Sequence, residues 1–249
     1  MKRPALALVT FCTLFAAPTS GADLKTISPV FGIFDSRPLA PATNGIYVGS
    51  RNGIAFVDNV PFASGVGAFD AAYSPSMFNA FHVGYRFASL SGPIGGRVEL
   101  EGGLMNASVD QHTLNGSAID TADSFGSVRS IFGFANAFAD LNLGAAMQAP
   151  PDSYLNRLTP FVGAGFGMAN VSLLRSGVSS TGVVMDGSST KPVFQLSGGI
   201  SMEVVEKTTF EIGYRFQQVM GLEFTAREGT TSKTDLTTNV VTFGLRRQF

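Results

Sequence analysis

An alternation of apolar and other side chains runs along the end of the chain, in Asn239–Phe249. The apolar face of this segment consists of Val241, Phe243, Leu245 and Phe249. Period-2 alternation is typical of a β-strand whose two faces meet different solvents. A large apolar residue at the end of such a strand favours a membrane barrel, because the final strand closes the sheet and its outer face meets lipid.

The same alternation recurs along the chain, between clusters of Gly, Ser, Pro, Asn and Asp. The eight segments that carry it are about 45–56, 80–90, 96–108, 127–141, 159–172, 193–205, 208–220 and 239–249. Each supplies the roughly 9–11 residues that a tilted transmembrane strand needs. The pattern predicts an all-β fold, an eight-stranded antiparallel up-and-down transmembrane β-barrel over residues 45–249.

The fourth segment, 127–141, has the weakest alternation. Its bulky residues share a parity with Asn136 and Asp140, and small residues dominate the opposite parity. We expect Asn136 and Asp140 to point inward, because a polar group facing lipid would lack partners. A bulge that changes the parity partway is one alternative, and a helix is the competing prediction for this alanine-rich run.

Composition narrows the class of protein. Hydrophobic residues make up 45% of the chain and the formal net charge is −1. Beyond the first 22 residues there is no apolar run long enough for a transmembrane helix, which needs about 20 residues. The weak charge bias argues against a nucleic-acid partner. Trp is absent, so an aromatic belt would have to use Phe and Tyr.

The N-terminus has the pattern of a secretory signal peptide. Lys2 and Arg3 precede the short apolar run Ala5–Ala17, and small residues follow it. Ser20 and Ala22 have the spacing that a signal peptidase needs, so cleavage is predicted after Ala22 and residues 1–22 form the signal peptide. Its removal would also remove Cys12, the only cysteine, leaving no disulfide.

The connections predict a topology. Residues 23–44 contain three prolines and are predicted to form an irregular periplasmic lead. The long connections are predicted to be 57–79, 109–126, 173–192 and 221–236, and the short ones 91–95 and 206–207. Outer-membrane barrels have long extracellular loops and short periplasmic turns, which would place both termini in the periplasm. The long connection 142–158 is an exception on the periplasmic side, where Pro150 and Pro151 argue against a strand.

Several runs resemble a known family. They are GIYVGSRNG at 45–53, GGRVELEGG at 95–103, TPFVGAGFGMA at 159–169, FEIGYRF at 210–216 and VVTFGLRRQF at 240–249. Together they resemble the outer-membrane β-barrel family, the OmpA-like eight-stranded barrels that include opacity-type and porin-family surface antigens. The resemblance implies an outer-membrane location. It also implies that the barrel-assembly machinery reads the terminal signal formed by Val241, Phe243, Leu245 and Phe249. Arg247 departs from the aromatic residue usual in the family, and near the periplasmic rim it could snorkel to the headgroups.

The inward parity collects most of the charge. Its predicted members are Arg51, Arg86, Arg97, Glu99, Glu101, Glu203, Glu211, Arg215 and Arg246. The interior of an eight-stranded barrel is just wide enough for side chains to fill. We therefore predict a salt-bridge network that plugs the lumen. The alternative is a charged constriction that gates a narrow pore.

Enzymatic chemistry is not indicated. His82 is predicted to face inward near Arg86, and His112 to lie in a mobile loop, so packing explains both better than catalysis. Scattered histidines argue against a metal site. GAGFG at 163–167 lacks the helix that a dinucleotide loop requires, so no cofactor is predicted. These glycines are expected to make room for Arg and Glu side chains from across the lumen.

The function predicted from these features is a structural and surface-interaction role in the bacterial envelope. The extracellular loops would provide the interaction surface toward host or envelope partners. The outer-membrane lipid and the assembly machinery are the other expected partners. A narrow porin for small solutes is the first alternative, and a lipid-modifying barrel enzyme that uses His82 is the second.

Overall fold

The computed structural model describes residues 43–64, 67–150, 153–226 and 228–249, so the predicted signal peptide and nearly all of the predicted lead lie outside the described residues. The strands are β1 (Gly45–Val57), β2 (Val60–Ser64), β3 (Gly67–Tyr73), β4 (Ser76–Ser91), β5 (Ile94–Leu114), β6 (Ser117–Ala118), β7 (Ser124–Leu141), β8 (Leu158–Val178), β9 (Gly182–Val205), β10 (Thr208–Thr225) and β11 (Thr231–Gln248). The helical elements are a 3₁₀ turn at Thr121–Asp123, the helix α1 (Leu143–Ala146) and a 3₁₀ turn at Tyr154–Arg157.

Eight of these strands close into a ring in which every neighbour is antiparallel. The order around the ring is β1, β4, β5, β7, β8, β9, β10, β11. Pairing of β1 with β11, from Tyr47 opposite Gln248 to Val57 opposite Thr238, closes it. The predicted fold is confirmed. The helix alternative for the fourth segment is wrong, because β7 pairs with β5 and β8 over almost its whole length.

Apolar side chains cover the outside of the ring. The most exposed large ones include Ile46, Met77, Phe81, Leu90, Leu100, Leu104, Ile131, Val162, Phe166, Leu196, Ile212, Tyr214, Phe243 and Leu245. Together they form an apolar girdle that lies on all eight strands. Exposed apolar area on this scale is rare on a monomeric protein in water and marks a surface that contacts lipid or protein.

The two ends of the ring differ. At one end, here the turn end, two-residue turns join β4 to β5 at Gly92–Pro93 and β9 to β10 at Glu206–Lys207. Gly92 adopts a positive φ of 54°, which glycine tolerates without strain. Residues 142–150 and 153–157 also lie at this end and include α1 and the 3₁₀ turn at Tyr154–Arg157. No helix among the described residues is long and apolar enough to cross a membrane.

At the other end, here the hairpin end, the predicted long loops are mostly strand. β8 and β9 continue to a turn at 179–181. β10 continues to Thr225, and β11 begins at Thr231. The prediction failed because bulges change the inward parity. In β10 the buried residues are Val219 and then Leu222, with a register shift between them at Gly221. In β8 the shift falls between Leu173 and Ser176. Alternation continues beyond each bulge on the opposite parity.

The β2–β3 hairpin completes the wall at the hairpin end. β1 stops at Val57 and β4 begins only at Ser76, so two strands are missing from the ring beyond these points. β3 pairs with the extension of β5, from Tyr73 to Phe69. On the other side, the Ala63 N–H donates to Ser232 Oγ of β11 at 2.8 Å. The hairpin therefore occupies the positions that β1 and β4 vacate.

Candidate functional site

The barrel interior holds the charged residues predicted from the inward parity, and Arg51 lies at their centre. Its Nη1 contacts Glu99 Oε2 at 2.6 Å and Glu101 Oε2 at 2.8 Å. Its Nη2 contacts Glu211 Oε2 at 3.2 Å. These carboxylates come from β5 and β10, so a single guanidinium joins strands on different sides of the lumen.

Arg97 forms a second hub nearer the turn end. Its Nη1 contacts Glu211 Oε1 at 2.6 Å and Glu99 Oε1 at 3.3 Å, and its Nε contacts Asp140 Oδ1 at 3.1 Å. The guanidinium carbon also lies 4.4 Å from the ring centroid of Phe138. Charge-assisted bonds and an aromatic face thus hold a fully buried cation.

Arg215 and Arg246 complete the charge balance. Arg215 makes two contacts with Glu101, the longer of which joins Nη2 to Oε2 at 3.0 Å. Arg246 Nη1 lies 2.8 Å from Glu211 Oε1. The buried network therefore contains Arg51, Arg97, Arg215 and Arg246 against Glu99, Glu101, Glu211 and Asp140. Equal numbers of opposite charges let each buried ion keep a partner.

Two of the predicted members lie apart from the network. Glu203 Oε1 accepts a hydrogen bond from the Lys207 N–H at 3.0 Å, so this carboxylate caps the short turn. Arg86 is half-buried opposite Gly45, where β1 begins. Both residues are inward by parity but lie at the turn end, where water can reach them. Parity alone does not reveal depth along the barrel axis.

The observed network also includes two residues that are not among its predicted members. Tyr47 Oη donates to Glu99 Oε1 at 2.7 Å, and Asp140 accepts from Arg97. Both share the inward parity of the charged residues, and Asp140 was expected inside. Inward parity alone could have identified them. Tyr47, for example, precedes Arg51 by four residues on β1, an even spacing that places both on the same face of the strand.

The inward glycines of β8 make room for neighbouring side chains rather than for distant ones. A Cβ at Gly163 would collide with the ring of Phe138, and one at Gly165 would collide with Asn136 Oδ1. Both neighbours belong to the adjacent strand β7. The expectation that these glycines admit Arg and Glu from across the lumen is therefore wrong. Their effect on the charges is indirect, because they seat the Phe138 ring that Arg97 contacts.

His82 is buried beside the charged network. One atom each of His82, Glu99 and Glu101 lie within 4.8 Å of one another, a grouping that could in principle hold a metal ion. Arg51 already binds both carboxylates, and Arg215 binds that of Glu101. A cation would therefore have to displace a guanidinium, so the residues do not fit a metal site. Neither ring nitrogen of His82 has a hydrogen-bond partner among the described residues.

Between the charged network and the hairpin end, uncharged side chains fill the lumen. Gln217 Nε2 donates to Gln195 Oε1 at 3.0 Å, and Gln195 Nε2 donates to Asn136 Oδ1. Phe78 and Phe132 then stack at 5.2 Å between ring centroids. A cavity of about 10 Å³, roughly the space of a single water, lies at this level.

At the hairpin end, a continuous apolar core closes the interior. The buried members include Phe62, Phe69, Leu173, Val184, Met185, Leu222, Phe224 and Leu236. His112 lies within this core on β5 rather than in a mobile loop, and it is 0% exposed. Its ring contacts Phe62 and Phe69 edge-on at 6.3 and 6.1 Å between centroids. Burial lowers the pKa of His112 below its usual value.

The terminal-strand residues point outward. Val241, Phe243 and Leu245 are each about half exposed on the girdle, and Phe249 is 70% exposed. Arg247 shares their parity, and its Nη1 donates to Thr208 Oγ1 at 2.7 Å beside the short turn. This bond gives the guanidinium a polar partner at the turn end of the girdle, consistent with the expected snorkelling.

Comparison with known proteins finds similarity in structure only. Neither a protein-family model nor a curated protein sequence matches the chain. Neisserial surface protein A is 15% identical, with a TM-score of 0.46 over 84% of this chain and 100% of that chain. AlkL is 18% identical, with a TM-score of 0.44 over 86% of this chain and 96% of that chain.

A third similar structure is OprG from Pseudomonas aeruginosa, at 13% identity. Its TM-score is 0.44 over 81% of this chain and 95% of that chain. The closed ring of eight antiparallel strands is seen directly in the pairing of this chain. The chain has the fold of an eight-stranded up-and-down β-barrel, the fold predicted from its sequence.

Proposed function

We propose that the chain is an integral outer-membrane protein whose barrel does not conduct and whose hairpin end is an interaction surface outside the cell. The observation that carries this proposal is the filled interior. A buried ionic network, an amide layer and an apolar core succeed one another along the axis. Each layer uses side chains from several strands, so the lumen is packed rather than lined.

Membrane insertion is supported by the outward girdle. Leu100, Val162 and Phe166 are each at least 60% exposed, on β5 and β8. Such side chains gain free energy in hydrocarbon, whereas the closed ring leaves no unpaired strand edge within the girdle. The turn end carries the short connections and the described start of β1, which favours the periplasm for that end.

Side chains at two positions along the barrel axis argue against a conducting pore. In the ionic layer, Arg51 reaches carboxylates on β5 and β10, so the charges neutralise one another instead of lining an opening. At the hairpin end, Phe62 and Phe69 lie over the interior and pack against His112. Ions crossing the barrel would have to break ion pairs and then enter an apolar core.

The position of His82 argues against the alternative function, a lipid-modifying barrel enzyme. His82 is 5% exposed and points into the lumen, beside Tyr47. A lipid at the outer surface could not reach its ring without opening the barrel wall. The charged groups nearest to it are held in ion pairs, so none is poised as a partner for nucleophilic catalysis.

The surface role is supported by the paired strands that form the hairpin end. Outward residues on the extended strands are polar or charged, among them Asp186, Lys191, Glu223 and Lys233. A surface on paired strands changes little in shape when a partner binds, which lowers the entropic cost of recognition. Trimming the hairpins would also remove core residues, so outward substitutions are the appropriate probe of binding.

Conductance of the refolded full chain in a planar bilayer tests the filled interior. We expect an electrically silent barrel, with insertion verified by a boiling-dependent shift on gels. Discrete current steps that change in the Arg51→Ala variant would overturn the closed-barrel proposal. The same Arg51→Ala substitution should make the barrel less stable, so its insertion is checked separately.

Surface presentation is tested with an epitope inserted at 179–181, the turn between β8 and β9. Antibody should label intact cells for this insertion and only permeabilised cells for a matched insertion at 206–207. Interaction is then measured as the adhesion of cells that display the chain, both to one another and to a layer of cells fixed on plastic. Charge reversal by Lys191→Glu with Lys233→Glu should reduce it, and adhesion no greater than that of cells lacking the chain would contradict the surface role.

A further inference from the structure

A polar island interrupts the apolar girdle on the wall made by β1 and β4. Asn52 and Asn79 are outward residues directly opposite each other in the ladder. Neither carboxamide has a hydrogen-bond partner among the described residues. Ser50, the next outward residue of β1, adds a hydroxyl beside them.

Exposed apolar side chains surround this island. Along β4, Asn79 lies between Met77 and Phe81, which are 60% and 69% exposed. Across the ladders, Phe243 of β11 lies opposite Asn52, and Leu104 of β5 lies opposite Asn79. The island is thus enclosed within the girdle, one outward position inside Met77, and is not part of its polar rim.

Two unpaired amides in this position need a partner that supplies donors and acceptors. Acyl chains supply neither, and a polar group without a partner in hydrocarbon is unfavourable. A carboxamide both donates and accepts, so it can pair with another carboxamide. The chemistry of the island is therefore complementary to itself.

We propose that Asn52 and Asn79 form the centre of a two-fold interface between two copies of this chain within the membrane. In such an interface, Asn52 of one copy faces Asn79 of the second, and the reverse pair forms by symmetry. All four carboxamides then gain partners that the lipid cannot provide.

The neighbouring wall has room for a second barrel to approach. Gly102 of β5 lies opposite both Phe81 of β4 and Gly133 of β7. Gly102 and Gly133 face outward, and no side chain approaches the outer side of either glycine. This leaves a depression beside the island, and small residues at such places allow close packing between membrane segments.

Site-directed crosslinking of the full chain in outer membranes tests the interface. Cys12 is replaced by Ser in every variant, and Ser50→Cys then places one thiol beside the island. The control is Ala164→Cys, a small outward residue on β8, on the opposite wall. Under an oxidant, we expect at least tenfold more disulfide-linked dimer for Ser50→Cys than for Ala164→Cys.

The amides themselves are tested in the Ser50→Cys background. Asn52→Leu with Asn79→Leu should reduce the dimer to the level of the Ala164→Cys control, while the monomer keeps its boiling-dependent gel shift. Equal crosslinking at the two positions would overturn the proposal. So would crosslinking of Ser50→Cys that persists without the amides, or a product whose mass corresponds to a different protein.

Discussion

The half of the interior nearer the turn end is filled by charged side chains, whereas the half nearer the hairpin end is filled by apolar ones. In the first half, Arg97 and Glu211 are stable only because each satisfies several partners. In the second, Phe69 and Leu222 exclude water through volume and contact. A substitution in the charged half leaves ions unpaired, while one in the apolar half leaves a void. The two halves should therefore respond differently to the same experiments.

The largest effect is expected from Glu211→Gln. Glu211 pairs with Arg51, Arg97 and Arg246, so its neutralisation leaves buried positive charge uncompensated. The free energy of unfolding should fall by about 3–5 kcal/mol. Urea unfolding in lipid vesicles, followed by circular dichroism, measures it. Adding Arg246→Gln restores the charge balance and should recover part of the loss, whereas fully additive losses would contradict a coupled network.

Leu222→Ala should destabilise the apolar half. This side chain is 0% exposed, and truncation leaves a cavity that the surrounding strands fill only partly. A loss of about 2–5 kcal/mol is expected in the same urea titration. Thr225→Ala, an exposed change on the same strand, is the control and should stay within about 0.5 kcal/mol. Equal effects of the two variants would mean that the hairpin end is not a packed core.

Acid should loosen the hairpin end through His112. Burial lowers the pKa of His112 in the folded chain, so the folded state resists the proton that the unfolded state accepts. The stability from neutral His112 is present above the unfolded pKa of about 6.5 and is lost as the pH falls below it.

Amide hydrogen exchange across this pH range measures the acid effect. β2 and β3 should lose protection as the pH falls, and His112→Leu should remove the dependence. A loss of protection in β2 and β3 that persists in the Leu variant would assign the pH effect to another group.

The smallest effect is expected from Glu223→Gln, on the outer surface of the hairpin end. Lys233 and Lys191 lower the pKa of this carboxyl through contacts at 3.1 and 3.5 Å. Water and salt screen the pairs, so the urea midpoint should not move measurably. A clear shift, abolished by high salt, would show that outer ion pairs help to stabilise the hairpins.

Much of the barrel could be predicted from period-2 alternation, because inward and outward faces of a strand meet different surroundings. The approximate centres of all eight ring strands follow from it. The extensions at the hairpin end could not be predicted in this way, since bulges at Gly221 and near Arg175 invert the parity. Asn115–Gly116 is a hairpin signal in the sequence, and its positive φ angles of 50° and 82° build the tight turn between β5 and β6.

The charged residues show the same difference between what the sequence pattern predicts and what it does not. Inward parity identified Arg51, Arg97, Glu99, Glu101, Glu211, Arg215 and Arg246, which the structure brings into one network. It also selected Arg86 and Glu203, because parity describes a face of a strand and not a depth in the barrel. Likewise, the sequence pattern predicts a loop at His112, whereas the extension of β5 places this residue under the β2–β3 hairpin.

By itself, the sequence determined the strands, their faces and the segregation of charged from apolar residues, because these follow from local periodicity. Only the tertiary structure decided which charges meet, where the interior is closed and which outward amides share a wall. Ring closure brings β1 against β11 across nearly the whole described chain, and bulges shift the register locally. Such long-range contacts depend on register and curvature together, which no short stretch of residues encodes.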